Sequence, residues 1–230
     1  MAMRCRVACA ALSVLLTSAR AADISMGSGM GIVLHVASLK EMSERHVVRQ
    51  RHDYSCGAAS LATLLTEQLA DPVTEDEIIR QTLGLLAEGD IVDREKTGLS
   101  LLDLKRVAQR RGHRAAGYRL GIDQLPKIDR AVIVFLNIRD EPHFSVLRGI
   151  RGDRAFLSDP TQGNMRMPLE RFREYWLGKE KQGIIFVVER ADGRIDLDWR
   201  GLPGADFEAP EKLEARMLMN IGTAYPGAVH

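Results

Sequence analysis

The chain has 230 residues, 45% of them hydrophobic and 5% aromatic, and its 32 basic against 31 acidic side chains leave a net charge of +1. That near-neutral balance excludes a dominant basic face of the kind that binds nucleic acid or an anionic membrane. The length and apolar content suit one domain of moderate size with a real core. At the N-terminus, Arg4 and Arg6 precede an apolar run from Val7 to Thr17, and Ala19-Arg20-Ala21 has the small-x-small form of a cleavage site. Residues 1–21 are therefore expected to be a signal peptide, with a mature chain starting at Ala22 and exported to the periplasm. The run is too short to span a bilayer comfortably, and no later stretch is apolar enough, so no transmembrane segment is expected after signal removal.

Residues 22–47 read as an N-terminal adapter, rich in Gly and Met from Asp23, apolar and strand-like over Ile32–Val36, and polar from Lys40 to Arg49. The core domain is expected over 48–188. A helix should begin near Cys56, run to about Leu69 with Leu61, Leu64 and Leu65 on one face, and stop before Asp71-Pro72. Thr74-Glu75-Asp76-Glu77 has the form of a capping box and opens a second helix toward Leu83. Gly84 to Thr97 reads as a loop, and Ser100 heads a third helix closed by Gly112.

The period then changes. Ala115–Leu120 reads as a strand, Ile122–Ile128 as a turn or helix containing Pro126, and the apolar run Ala131–Ile138 as a central strand. His143–Ile150 and Arg154–Ser158 read as strands joined at Gly152-Asp153, Pro168–Trp176 as a helix, and Gly183–Val188 as the closing strand. Helices first and an antiparallel sheet afterwards is an α+β layout. Residues 189–230 are polar with scattered Gly and Pro and read as a C-terminal tail.

Cys5 and Cys9 would leave with the signal peptide, so Cys56 is the one cysteine of the mature chain. It cannot form an intramolecular disulfide, and at a helix N-terminus the dipole and free N–H groups favour a thiolate. A thiolate nucleophile needs an oriented base. His143 sits at the start of a core strand, and Asp159, in Leu157-Ser158-Asp159-Pro160, lies at the end of the next. If the two strands pair, the carboxylate reaches the imidazole and fixes its tautomer. Gln50, six residues before Cys56, can offer its side-chain amide beside the Cys56 N–H as an oxyanion donor. His35, His46, His52 and His113 lie in polar or loop-like contexts and read as surface residues, and Arg110, Arg111 and Arg114 as a solvated face.

Three motifs in this order, Gln50 with Asp53-Tyr54-Ser55-Cys56-Gly57-Ala58-Ala59, then His143-Phe144-Ser145-Val146, then Ser158-Asp159-Pro160-Thr161-Gln162-Gly163, resemble the C39 peptidases. These are papain-like cysteine proteases known as the leader-cleaving domains of bacteriocin exporters. The resemblance implies a papain-like α+β fold and a nucleophile, base, orienting acid and oxyanion donor at Cys56, His143, Asp159 and Gln50. It also implies that Gly57 lets substrate approach the helix start, and it calls for no cofactor or metal. Ser55 stands where the exporter domains commonly carry an acid, and the sequence has no Gly-x-x-x-x-Gly-Lys-Ser/Thr phosphate loop. It is thus similar to the stand-alone exported members, some encoded with secreted fibre systems. The expected partner is a peptide or protein of the cell envelope, such as a fibre or amyloid subunit or a secretion component. Two rival readings stay open: another acyl transferase or amidase on this fold, and a non-catalytic chaperone or docking module for a secreted subunit.

Overall fold

The computed structural model describes residues 38–194. The expected signal peptide, the strand-like run over Ile32–Val36 and the tail beyond Arg194 lie outside the described residues. Helices α1 (Leu39–Glu44), α2 (Cys56–Leu69), α3 (Glu75–Leu83), α4 (Glu88–Thr97) and α5 (Leu101–Arg110) precede strand β1 (His113–Leu120) and a 3-10 turn at Ile122–Lys127. Strands β2 (Val132–Ile138), β3 (Glu141–Arg151), β4 (Arg154–Asp159) and β5 (Gly163–Pro168) follow, then α6 (Leu169–Leu177) and β6 (Gly183–Arg190). The strands form one antiparallel six-stranded sheet in the order β1-β6-β2-β3-β4-β5. This is the α+β architecture expected from the sequence. Among the described residues, no helix is long and apolar enough to cross a membrane.

β2 lies inside the sheet and is buried on both faces, which is why it reads as a continuous apolar run. Ile133 joins a core with Leu61, Leu64 and Leu65 of α2, Ile78 of α3 and Leu104 and Val107 of α5. Val132, Val134 and Leu136 point the other way, into a second core with Phe172 and Trp176 of α6. Buried Gln68 ties α2 to the start of β2, accepting from the Ala131 N–H at 2.7 Å and donating to the Ala131 carbonyl at 3.4 Å.

The helix starts follow the caps read from sequence. The Thr74 hydroxyl accepts the Glu77 N–H, and Ser100 and Asp103 form a reciprocal capping box. Three segments differ from expectation. The 84–97 loop contains α4, a polar helix with no apolar stripe, pinned to α5 by Arg94 Nε bonded to Asp103 Oδ2 at 2.6 Å. Residues 39–44 form α1, which follows the Ser38 cap, and β5 occupies the stretch between the Asp159 motif and α6. Both elements are short: β5 is held by its pairing with β4, and α1 packs on β5. Asn164 Nδ2 donates to the Arg45 carbonyl at 2.7 Å, and Gly163, at φ 84°, lets α1 come so close that a Cβ there would lie 2.3 Å from the Ser43 carbonyl oxygen.

Candidate active site

Cys56 is the first residue of α2, and Gly57 beside it is buried against Phe144 of β3. A Cβ on Gly57 would sit 3.1 Å from Phe144 Cδ2, so this glycine serves the packing of helix on strand. The Ser60 hydroxyl, one turn on, donates to the Phe144 carbonyl at 3.2 Å. These two contacts set the N-terminus of α2 against the residue that follows His143, and so bring Cys56 to the imidazole.

The β3–β4 pairing supplies the second neighbour. Val146 is opposite Ser158, which puts Asp159 opposite Ser145, one side-chain period from His143 on the same face. His143 Nε2 lies 2.7 Å from Asp159 Oδ2, and the Cys56 side chain is close enough to act on the charge of the same ring. The Asp159 side chain is 3% exposed. Its Oδ1 accepts the backbone N–H groups of Thr161 and Gln162, each at 2.9 Å. Burial works against its charge, but the His143 bond and these two amides outweigh burial and hold the carboxyl below its ordinary range. At His143 burial likewise disfavours charge. The bonds to Asp159 and Cys56 prevail and raise the imidazole from 6.5 to about 9.

Gln50 is held to the loop that follows Asp159. Its N–H donates to the Pro160 carbonyl at 3.0 Å, and its side-chain Oε1 accepts the Thr161 hydroxyl at 3.0 Å. Its Nε2 donates to the His52 carbonyl at 3.1 Å, which uses one of two amide protons and leaves the other for an oxyanion. Of the four residues singled out from the sequence, Cys56, His143 and Asp159 meet at the imidazole, and Gln50 is tied to the loop that follows Asp159. A sulfur, an imidazole, a bonded carboxylate and an amide are the kinds of group that acyl transfer uses.

The other histidines divide. His46 bonds Glu67 at the surface and His52 stacks on Tyr54. His113 corrects the surface reading. Its side chain is 7% exposed, with Nε2 2.9 Å from Asp71 Oδ2. Arg111 binds the same carboxylate, so it is no part of a solvated face. Cavities of about 580 and 370 Å³ open on this ion-paired cluster, beyond the C-terminal end of α2 and away from Cys56. Sequence reasoning missed Glu75, a buried carboxylate whose oxygens receive the Arg51 N–H and the Ser55 hydroxyl beside Cys56. Its one sequence signal was its place after the Thr74 cap.

Residues 44–191 match the model of the peptidase C39 family. The chain is 37% identical over 161 residues to a Pseudomonas aeruginosa protein named "Probable functional amyloid protease FapD", covering 70% of this chain and 68% of that protein. A Pseudomonas fluorescens protein of the same name is 35% identical over 164 residues, covering 71% and 69%. Among solved structures, the peptidase domain of Streptococcus ComA superposes with a TM-score of 0.52 at 17% identity, over 63% of this chain and 97% of that one, which shows a shared fold. With the family model spanning most of the chain, and with relatives of this identity and coverage, the chain belongs to the peptidase C39 family and is a cysteine peptidase.

Proposed function

We propose that the protein is an exported endopeptidase that cleaves a peptide or protein subunit of a secreted amyloid or fibre system through a Cys56 acyl-enzyme. The observation that carries the catalytic part is the 2.7 Å bond between His143 and Asp159 on a ring whose charge the Cys56 side chain also favours. In the resting site, His143 is held protonated beside the Cys56 sulfur. The Cys56 sulfur attacks the scissile carbonyl, and the oxyanion is received by the Cys56 N–H and the Gln50 amide. His143 gives its proton to the leaving amine, then takes one from the water that releases the acyl group. Asp159 keeps the ring in place and compensates its charge.

The substrate class rests on the two Pseudomonas relatives, whose printed name links them to functional amyloid. Export rests on the N-terminal pattern of Arg4, Arg6, the apolar run and Ala19-Arg20-Ala21. In this reading, residues 1–21 are removed and the mature enzyme works in the periplasm. Mass spectrometry of secreted and envelope proteins from strains carrying the wild-type or the Cys56→Ala protein tests the proposal. New N-termini on a fibre subunit or a secretion component, present only with wild type, are the expected result. Identical N-termini in both strains would overturn it.

A further inference from the structure

The segment from Gln50 to Ser55 carries one proposed oxyanion donor, the Gln50 side chain, and leads directly into the other, the Cys56 N–H. No helix or strand spans residues 50–55. Its position is set instead by single bonds: Gln50 N–H to the Pro160 carbonyl at 3.0 Å and Ser55 N–H to the His52 carbonyl at 3.2 Å. Into this loop reaches Glu75, the first residue of α3, which is 3% exposed. Its Oε1 and Oε2 both accept the Arg51 N–H, at 3.0 and 3.1 Å, and Oε1 also faces the Ser55 hydroxyl. Glu75 arrives there because the link after α2 turns back along that helix, with the Val73 N–H donating to the Thr66 hydroxyl at 3.1 Å.

A carboxylate is costly to bury unless its oxygens are bonded, and here both are spent on the loop that flanks the nucleophile. One contact lies immediately after Gln50 and the other immediately before Cys56. We propose that Glu75 is a positioning residue of the oxyanion hole, fixing the spacing between the Gln50 amide and the Cys56 N–H by gripping both ends of the intervening loop. The proposal rests on the reading of Cys56 as nucleophile and Gln50 as oxyanion donor.

Two reactions of one thiol separate this role from a merely structural one. Acylation of Cys56 by p-nitrophenyl acetate passes through an oxyanion, whereas alkylation by iodoacetamide does not. Both rates are measured on the mature protein as wild type, Glu75→Ala, Glu75→Gln, Gln50→Ala and the Gln50→Ala/Glu75→Ala double variant, well below each melting temperature. Glu75→Ala should lose about tenfold or more in acylation while alkylation stays within about twofold. The double variant should be no slower than the worse single variant, since both disable one device. Glu75→Gln, which keeps an acceptor for the Arg51 N–H, should recover part of the loss, and it carries the same comparison if the alanine variant does not fold. Parallel losses in both reactions, full additivity, or unchanged acylation would each overturn the proposal. Wild-type acylation and alkylation rates in Cys56→Ala would instead overturn the nucleophile assignment itself.

Discussion

At His143 the Asp159 carboxylate and the Cys56 side chain outweigh burial, so the ring stays protonated to about 9. A group whose folded value is raised above 6.5 contributes stability in full below pH 6.5 and loses it as the pH climbs toward 9. Asp159 has the opposite sign: held below 3.8, it contributes above that value and loses its contribution as acid protonates it. The stability of wild type relative to His143→Gln should therefore be greatest between these limits and shrink on the alkaline side between 6.5 and about 9, as chemical denaturation across pH would read. In the proposed mechanism His143 also serves as the proton carrier for Cys56. Iodoacetamide should label Cys56 readily near pH ~6 in wild type and about tenfold more slowly in His143→Ala. Equal rates in the two proteins would count against the pair. Gln50→Ala should lower kcat by about a hundredfold, about 3 kcal/mol, with KM little changed, because the bond it removes strengthens as the oxyanion forms.

Among the elements, α1 and β5 draw on distant partners. β5 is paired with β4, α1 packs on β5, and the glycine between Gln162 and Asn164 is what lets α1 approach. Gly163 combines φ 84° with a site where an added Cβ would collide with the Ser43 carbonyl oxygen, a backbone atom with little room to move. Gly163→Ala should cost about 2 kcal/mol or more from backbone strain, a fall of about 4–8 °C in Tm. Because Gly163 pairs with Asp159 across β4 and β5, a fall in turnover should accompany the loss of stability. Thermal melts and activity on the same preparations check both. A Tm unchanged in Gly163→Ala would show that α1 moves aside without cost. The same dependence explains why α1, α4 and β5 were not read from the sequence. α4 has only Ile91 and Val92 as apolar residues and is tied to α5 by the Arg94–Asp103 pair, a contact between helices that no local pattern announces.

Over the whole molecule, every residue of the proposed chemistry lies between Gln50 and Asp159, and the sheet that supports it closes with β6. Arg190, at the end of β6, donates to the Leu69 carbonyl at 2.8 Å and to Asp192, so the described fold finishes just beyond that strand. Truncation after Arg194 should keep both the melting temperature and the labelling rate of Cys56. A large drop in either would show that the C-terminal segment belongs to the domain. At the other end, the mature protein recovered from the periplasm should begin at Ala22 by N-terminal sequencing. An intact Met1 would refute the signal peptide.

The α2 helix from Cys56 to Leu69, its companions headed by Thr74 and Ser100, and the doubly buried β2 were all determined by local sequence. Apolar spacing and capping side chains act within a few residues and leave a readable pattern. The motifs around Cys56, Gln50, His143 and Asp159 were legible because they occur together in order, but the register that puts Asp159 on the His143 face depends on a bulge between Leu147 and Gly149, which the sequence did not announce. What the tertiary structure decided lies at long sequence separation. The close contact of Gly57 with Phe144 joins helix to strand, and Asp71 draws in Arg111 and the buried His113. Glu75 reaches back to Arg51 and Ser55 in the same way. Buried polar groups choose partners by proximity in the folded chain, and that proximity exists only once the core has packed.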